Sequence, residues 1–188
     1  MTKFKNTFQI ESARLKEWDY SNPWWYYVTI DTKNHIHHFG KVENEKMILN
    51  DLGLIVESEW LKTKLLRTNV ELDYFVVMPN HFHGIIIING SEVETHRVRL
   101  QNKETNGDAF DASLRNVKNC LSDIIRGFKS AVTKRICESC DTRFSWQPRF
   151  YDRIIRNEKE LYNIRKYIEQ NPLKWELERD LPENIFNL

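Results

Sequence analysis

Apolar and polar positions fall into blocks that predict seven main elements. Trp24 to Asp31 (WWYYVTID) is dense in aromatic and β-branched residues and predicts a first strand. Residues Phe39 to Leu49 form a short excursion with the pattern of a hairpin. Leu54, Ile55, Trp60, Leu61, Leu65 and Leu66 keep mostly to helical spacing, so a helix over about 51–67 is expected to pack on the sheet. Tyr74 to Ile88 (YFVVMPNHFHGIIII) reads as two strands joined by a tight turn at Met78, Pro79 and Asn80. Leu121, Ile125, Phe128, Val132 and Ile136 recur on one face of a second helix. Phe144 to Ile155 predicts a loop closing on Trp146, then a fourth strand at about Phe150 to Arg156. Asn157 is placed as an N-cap, with Glu158 and Glu160 in the first turn, and Leu161, Ile164 and Ile168 form the buried stripe of a last helix. That helix is expected to run through Gln170 and stop near Asn171, because Pro172 disfavours helical geometry in the residue before it.

The remaining stretches are polar. Residues 1–23 read as a leader lying along the body of the domain. Gly90 to Asp111 reads as a flexible insertion in which His96 carries no motif. The tail from Leu173 to Leu188, with Trp175 and Phe186, is expected to fold back. At 188 residues with 40% hydrophobic residues, the chain suits one domain, 1–188, with one substantial core.

The overall charge adds little: 28 Lys plus Arg against 27 Asp plus Glu leave a net charge of +1. Its distribution adds more, because residues 113–156 hold ten basic residues against four acidic ones. Such an excess suits either a polyanion or a solvated helix face. Arg126, Lys129 and Thr133 share one face of the second helix and can run along a phosphate backbone. The N-terminus lacks the apolar core of a signal peptide and no run is long enough to span a membrane, so a cytoplasmic protein is expected. Cys120, Cys137 and Cys140 form no disulfide framework, and the Cys137-Glu-Ser-Cys140 motif has no second ligand pair beside it. His35, His37 and His38 lie beside Asn34 and Gly40 and read as a solvated loop.

The candidate chemistry starts in the second strand of the Tyr74–Ile88 pair. Side chains alternate along a strand, so His81 and His83 share a face and Phe82 takes the other. They are either satisfied structural histidines or a pair of ligands for one ion. Tyr167 and Asn171 lie four residues apart on the last helix, on the same side and at the edge of its buried stripe. Either of these also has an ordinary role, as core filler and as helix stop. Two imidazoles with an amide oxygen from Asn171 leave positions open for phosphate oxygens and water on an octahedral Mg²⁺ or Mn²⁺. A phenol is mostly protonated at neutral pH, with a reference pKa of about 10, so Tyr167 needs such electrostatic help to attack phosphorus.

These residues resemble a known family. His81-Phe82-His83 after Met78-Pro79-Asn80, Phe128-Lys129-Ser130, Trp146 to Asp152 (WQPRFYD), Ile155-Arg156-Asn157, and Tyr167 to Pro172 (YIEQNP) look like the single-tyrosine HUH transposases, closest to the REP-associated tyrosine transposases. The resemblance runs from about Trp24 to Trp175. It implies a ferredoxin-like α+β sandwich, an antiparallel sheet with the histidines on a central strand and helices packed on it. His81 and His83 take the place of the family's metal-binding histidines, Tyr167 that of its nucleophile, and Asn171 that of the polar third ligand; relatives in the insertion-sequence branch carry Gln there. The implied activity is cleavage of single-stranded DNA beside hairpins through a 5′-phosphotyrosine, rejoined without ATP, with Mg²⁺ or Mn²⁺ as cofactor. The implied partners are single-stranded DNA and DNA hairpins, and the protein would act as a monomer or a homodimer. Arg126, Lys129, Arg149, Arg153 and Arg156 are the candidate DNA-binding cations. The rival reading is a hairpin-binding regulator that keeps the fold without the chemistry. A replication initiator or relaxase of the same chemistry would normally sit in a larger chain.

Overall fold

The computed structural model describes residues 17–90, 120–139 and 143–179, with the backbone of 3–4 and 7–8. The elements in chain order are β1 (Lys3–Phe4), β2 (Thr7–Phe8), β3 (Trp24–Asp31), β4 (Gly40–Glu43), β5 (Lys46–Leu49), α1 (Asp51–Leu66), β6 (Val70–Val77), β7 (His81–Ile88), α2 (Leu121–Ser139), β8 (Tyr151–Ile154) and α3 (Glu158–Arg179). The expected insertion lies almost wholly outside the described residues, as do most of the leader and residues 180–188 of the tail, Phe186 included.

Four strands form one antiparallel sheet in the order β6-β7-β3-β8. With α1 between its first two strands and α2 between its last two, this is the ferredoxin-like α+β arrangement. The histidine strand, β7, is central as expected, and β4 pairs with β5 in a separate hairpin. Strand β6 begins four residues before the apolar run that marks it, and its register with β7 shifts between Leu72 and Phe75.

Period-two alternation divides the sheet between two cores. Tyr26, Val28, Ile30, Phe82 and Ile86 pack with Trp60 of α1 and Phe128 of α2 on one face. Tyr27 and Ile85 pack with Ile155 and Ile168 on the other, where α3 lies. Gly84 belongs to the first face. A Cβ there would stand 2.7 Å from Trp60 Cζ2 and 2.8 Å from Phe82 Cε1, so glycine is what admits the indole beside the histidine strand.

Two features of the helices depart from expectation. In α1 the core side is Ile55, Val56, Glu59, Trp60 and Thr63, while Leu54, Leu61, Leu65 and Leu66 are exposed. Helix α3 also does not stop at Asn171: it continues through Pro172 to Arg179 and takes in Trp175, which was expected in a folded-back tail. Proline removes one backbone donor from the helix and crowds the preceding turn. Burial offsets that cost, since Asn171 and Pro172 are both buried. The added turns dock on the hairpin, where Glu176 Oε2 accepts from the backbone N–H of Glu45 at 2.6 Å. At its other end α3 starts as the sequence predicts, with Asn157 Oδ1 accepting from the Glu160 N–H at 2.9 Å.

Candidate catalytic site

The face of β7 that meets α3 carries His81 and His83, whose ring centroids are 4.6 Å apart. Register brings three further strands' side chains to the same face, because His83 pairs with Thr29 and with Val76, and Thr29 with Tyr151. His83 is buried. Its Nδ1 lies 2.8 Å from Tyr27 Oη and 2.9 Å from Thr29 Oγ1, and Thr29 Oγ1 donates to Tyr27 Oη at 3.1 Å. With hydroxyl oxygens there to accept, Nδ1 can carry the ring proton, and Nε2 then presents its lone pair to the site. That Nε2 is buried and has no hydrogen-bond partner among the described residues.

His81 is held in the same way from a different side. Its Nδ1 lies 2.6 Å from Asn80 Oδ1, and Asn80 Nδ2 donates to the carbonyl of His35 at 3.1 Å. Burial pushes the His81 imidazole down to about 4, with the Asn171 hydrogen bond opposing and His35 and His37 adding to the fall. Burial and then the neighbouring His81 hold His83 well below its ordinary value. Both rings are therefore neutral at neutral pH, the state in which imidazole binds a metal ion.

Helix α3 adds Tyr167, Asn171 and Lys174 in one stripe, four and three residues apart, with Trp175 next to it. Tyr167 is 39% exposed, so its phenol can reach a substrate, and its ring stands edge-on to His83 at 5.4 Å and to Tyr27 at 6.4 Å. Asn171 is buried and hydrogen-bonds His81. Lys174 places Nζ 5.0 Å from the Tyr167 ring centroid. Trp175 stands 5.6 Å from His81 and 5.3 Å from His37, closing one side. An ion pair sets the helix on the sheet: Arg165 donates to Asp73 Oδ2 at 2.8 Å, with its guanidinium near the rings of Trp25 and Tyr74.

All four sequence-predicted residues, Tyr167, His81, His83 and Asn171, thus meet on one face. Among the described residues there is no cluster of three His, Cys, Asp or Glu suited to a metal. Two neutral imidazoles with a buried amide, and the unpartnered Nε2 of His83, nevertheless fit a divalent ion that keeps positions for oxygen ligands.

The predicted cations divide. Arg153 and Arg156 lie on the α3 side; Arg153 bonds Glu160 at 2.5 Å yet keeps 58% of its side chain exposed. Arg149 is exposed. Arg126 is exposed on α2, across the sheet from the histidines, and pairs with Asp123 at 2.6 Å. Lys129 is turned inward: its ammonium is half-buried and donates to the carbonyl of Gln147, and Thr133 bonds back to the Lys129 carbonyl. The shared α2 face therefore presents one outward cation, not a row. His35 and His37 are exposed as expected but border the site, while His38 packs edge-on to Phe144 at 5.2 Å. Cys137 is exposed, and Cys140 lies outside the described residues.

Sequence reasoning missed Tyr27, Thr29, Asn80, Lys174 and Trp175. The polar tips at alternate positions of WWYYVTID were a usable signal for the first two.

No family model matches the chain. It is 35% identical over 165 residues to an uncharacterized protein of Haemophilus influenzae, covering 88% of this chain and 89% of that one. Its fold is similar to the solved structure of a REP-associated tyrosine transposase bound to a REP hairpin, with a TM-score of 0.52 and 21% identity over 88% of this chain and 74% of that one. Among the described residues no helix is long and apolar enough to cross a membrane.

Proposed function

The chain belongs to one family with the uncharacterized Haemophilus influenzae protein and has the fold of a REP-associated tyrosine transposase, and from that premise we propose that it is a metal-dependent strand transferase acting on single-stranded DNA beside hairpins. The observation that carries this reading is the buried, unpartnered Nε2 of His83, set beside His81, Asn171 and the half-exposed Tyr167. A protein that only bound hairpins would have no use for a buried ligand nitrogen left without a partner, which costs stability.

In this reading His81, His83 and Asn171 would hold Mg²⁺ or Mn²⁺, which when bound would supply Lewis acidity to polarise the scissile phosphate and favour the ionised phenol. Tyr167 Oη attacks phosphorus, the bond from phosphorus to the 3′ oxygen breaks, and the freed 3′ oxygen takes up a proton while the phenol gives one to solvent. One phosphoester replaces another, so the bond is conserved and no ATP is consumed. Reversal by a 3′ hydroxyl rejoins the strand. Burial of His83 against Tyr27 and Thr29 keeps its ring fixed, and the Arg165–Asp73 pair holds the tyrosine helix against the sheet. Arg153 and Arg156 offer positive charge to the backbone on the site side.

The test is incubation with a labelled single strand carrying a hairpin from the flanks of the protein's own gene, with Mn²⁺ or Mg²⁺, followed by denaturing electrophoresis. A covalent adduct that disappears in Tyr167→Phe and with chelator is the expected result. Hairpin binding without an adduct, across several flanks and both ions, would replace the enzyme with the regulator.

A further inference from the structure

Beyond the Trp24–Ile88 end of the sheet, away from His81, lies a cavity of about 530 Å³ lined by residues that include Trp24, Trp25, Ile87, Arg156 and Leu161. Its size falls within the range of small-ligand sites, ~300–1,000 Å³. None of the proposed catalytic residues lines it. We infer that this cavity receives one unpaired nucleobase of the strand cut at Tyr167, and so acts as a sequence- or structure-selecting subsite; the inference rests on the strand-transferase reading.

A nucleobase is a flat ring with apolar faces and polar edges, attached to a charged backbone. The cavity supplies a counterpart to the ring and to the charge. Trp24 is 40% exposed, and its indole is fixed by donation from Nε1 to the Ile155 carbonyl at 2.8 Å and by edge contact with Trp18 at 5.6 Å. An aromatic face held in place loses little freedom when a base stacks on it. Trp25 is backed by the Arg165 guanidinium, 5.9 Å from its ring. Ile87 and Leu161 add aliphatic wall, and Arg156, an exposed lining residue with its backbone N–H anchored on Glu160 Oε2 at 2.9 Å, offers charge to a phosphate.

The distance to the nucleophile suits the same strand. Trp25 and Thr29 lie four residues apart on β3, about 13 Å, and Leu161 precedes Tyr167 by six residues of α3, about 9 Å. A stacked strand advances about 3.4 Å per nucleotide, so the captured base lies within about four nucleotides of the cut, or nearer if the strand is stretched. The edge strand β8 lies between the two places. Tyr151, exposed, stands in register with Thr29 and Arg153 with Tyr27, after which the chain enters the cavity wall at Ile155 and Arg156. Aromatic and cationic side chains thus line the route from the phenol to the cavity, the pattern that single strands follow.

The experiment is a binding scan with chelator present, so that no strand is cut. Labelled strands from the gene's flanks carry a single abasic site, moved one position at a time through about four nucleotides on each side of the cleavage position. One position is expected to lose about tenfold in affinity. Leu161→Trp, which fills the cavity, is expected to weaken the intact strand by a similar factor and to remove the penalty of that abasic site. Ile87→Phe serves as a second filling variant, with thermal melts to confirm that both fold. Equal affinity at every abasic position overturns the subsite and leaves the strand-transferase reading standing. If the unmodified protein binds no single strand from its flanks, subsite and reading fall together.

Discussion

The side-chain oxygen of Asn80 stands 2.6 Å from His81 Nδ1, while the nitrogen of the same amide donates to the His35 carbonyl at 3.1 Å. Each end of the amide is committed. The donor end faces a carbonyl, so the acceptor end must face His81, and the ring proton belongs on Nδ1. Asn80 is thus a positioning residue that aims the Nε2 lone pair of His81 at the candidate metal site. Asn80→Ala is expected to weaken Mn²⁺ binding by about 10–100-fold, read by calorimetry without DNA. Asn80→Asp, which keeps an acceptor toward Nδ1, is expected to recover most of that loss. Equal affinities in all three proteins would remove Asn80 from the site.

His83 allows a spectroscopic counterpart. Thr29 and Tyr27 both reach its Nδ1, so Tyr27→Phe alone leaves one acceptor and Thr29→Val with Tyr27→Phe leaves none. The single variant is expected to keep the Nδ1–H tautomer in ¹⁵N spectra of the metal-free protein. The double variant is expected to move the proton to Nε2 and to lose metal affinity by about tenfold or more. An unchanged tautomer in the double variant would separate the hydroxyls from ligand orientation.

What the sequence made legible was local. The alternation of His81, Phe82 and His83, the apolar stripe of α2 and the Asn157 cap each depend on residues a few positions apart, and each stands as read. What it hid was set at long range. Thr29 and Tyr27 find His83 across 54 and 56 residues, through a strand register that no local pattern states. Pro172 gave a local stop signal, but burial of Asn171 and Pro172 and the docking of Glu176 on Glu45 carried the helix onward. That continuation brings Lys174 and Trp175 to the site. Lys129 misled for a similar reason, since helical spacing shows which side of α2 it takes but not that the Gln147 carbonyl waits there.

The α1–α2 layer behind the histidine strand has its own pH dependence. Glu59 is buried and accepts from Lys62 Nζ at 2.8 Å and Arg135 Nη1 at 2.6 Å. Burial raises its carboxyl, but the hydrogen bonds and charges of Lys62 and Arg135 outweigh that and hold it below the ordinary 4.5. Below 4.5 the unfolded chain binds this proton more readily than the folded one, so stability falls as the pH falls in that range. The contribution is complete above about 4.5 and is lost as pH drops through the folded value. Glu59→Gln is expected to melt a few degrees lower at pH 7, with the gap to the parent closing as the pH falls below 4.5. Parallel melting curves at all pH values would show that the pair contributes nothing through ionisation.

Lys174 offers the most direct probe of how the site meets a strand. Its Nζ lies 5.0 Å from the Tyr167 ring centroid, and the side chain is exposed, one turn beyond Asn171 on the same stripe. A phosphate brought to Tyr167 for attack comes within reach of that ammonium, which then acts as a point charge on the backbone and reads no base. Lys174→Met is therefore expected to weaken single strands of every sequence alike, by about 3–10-fold at low salt. One phosphate contact on a single strand contributes about 0.7 to the slope of log affinity against log salt, so the variant's slope should be shallower by roughly that amount. Lys174→Arg keeps the charge and should stay near the parent. A loss confined to some sequences would mean base reading, and an unchanged slope would mean that the strand approaches Tyr167 from another side.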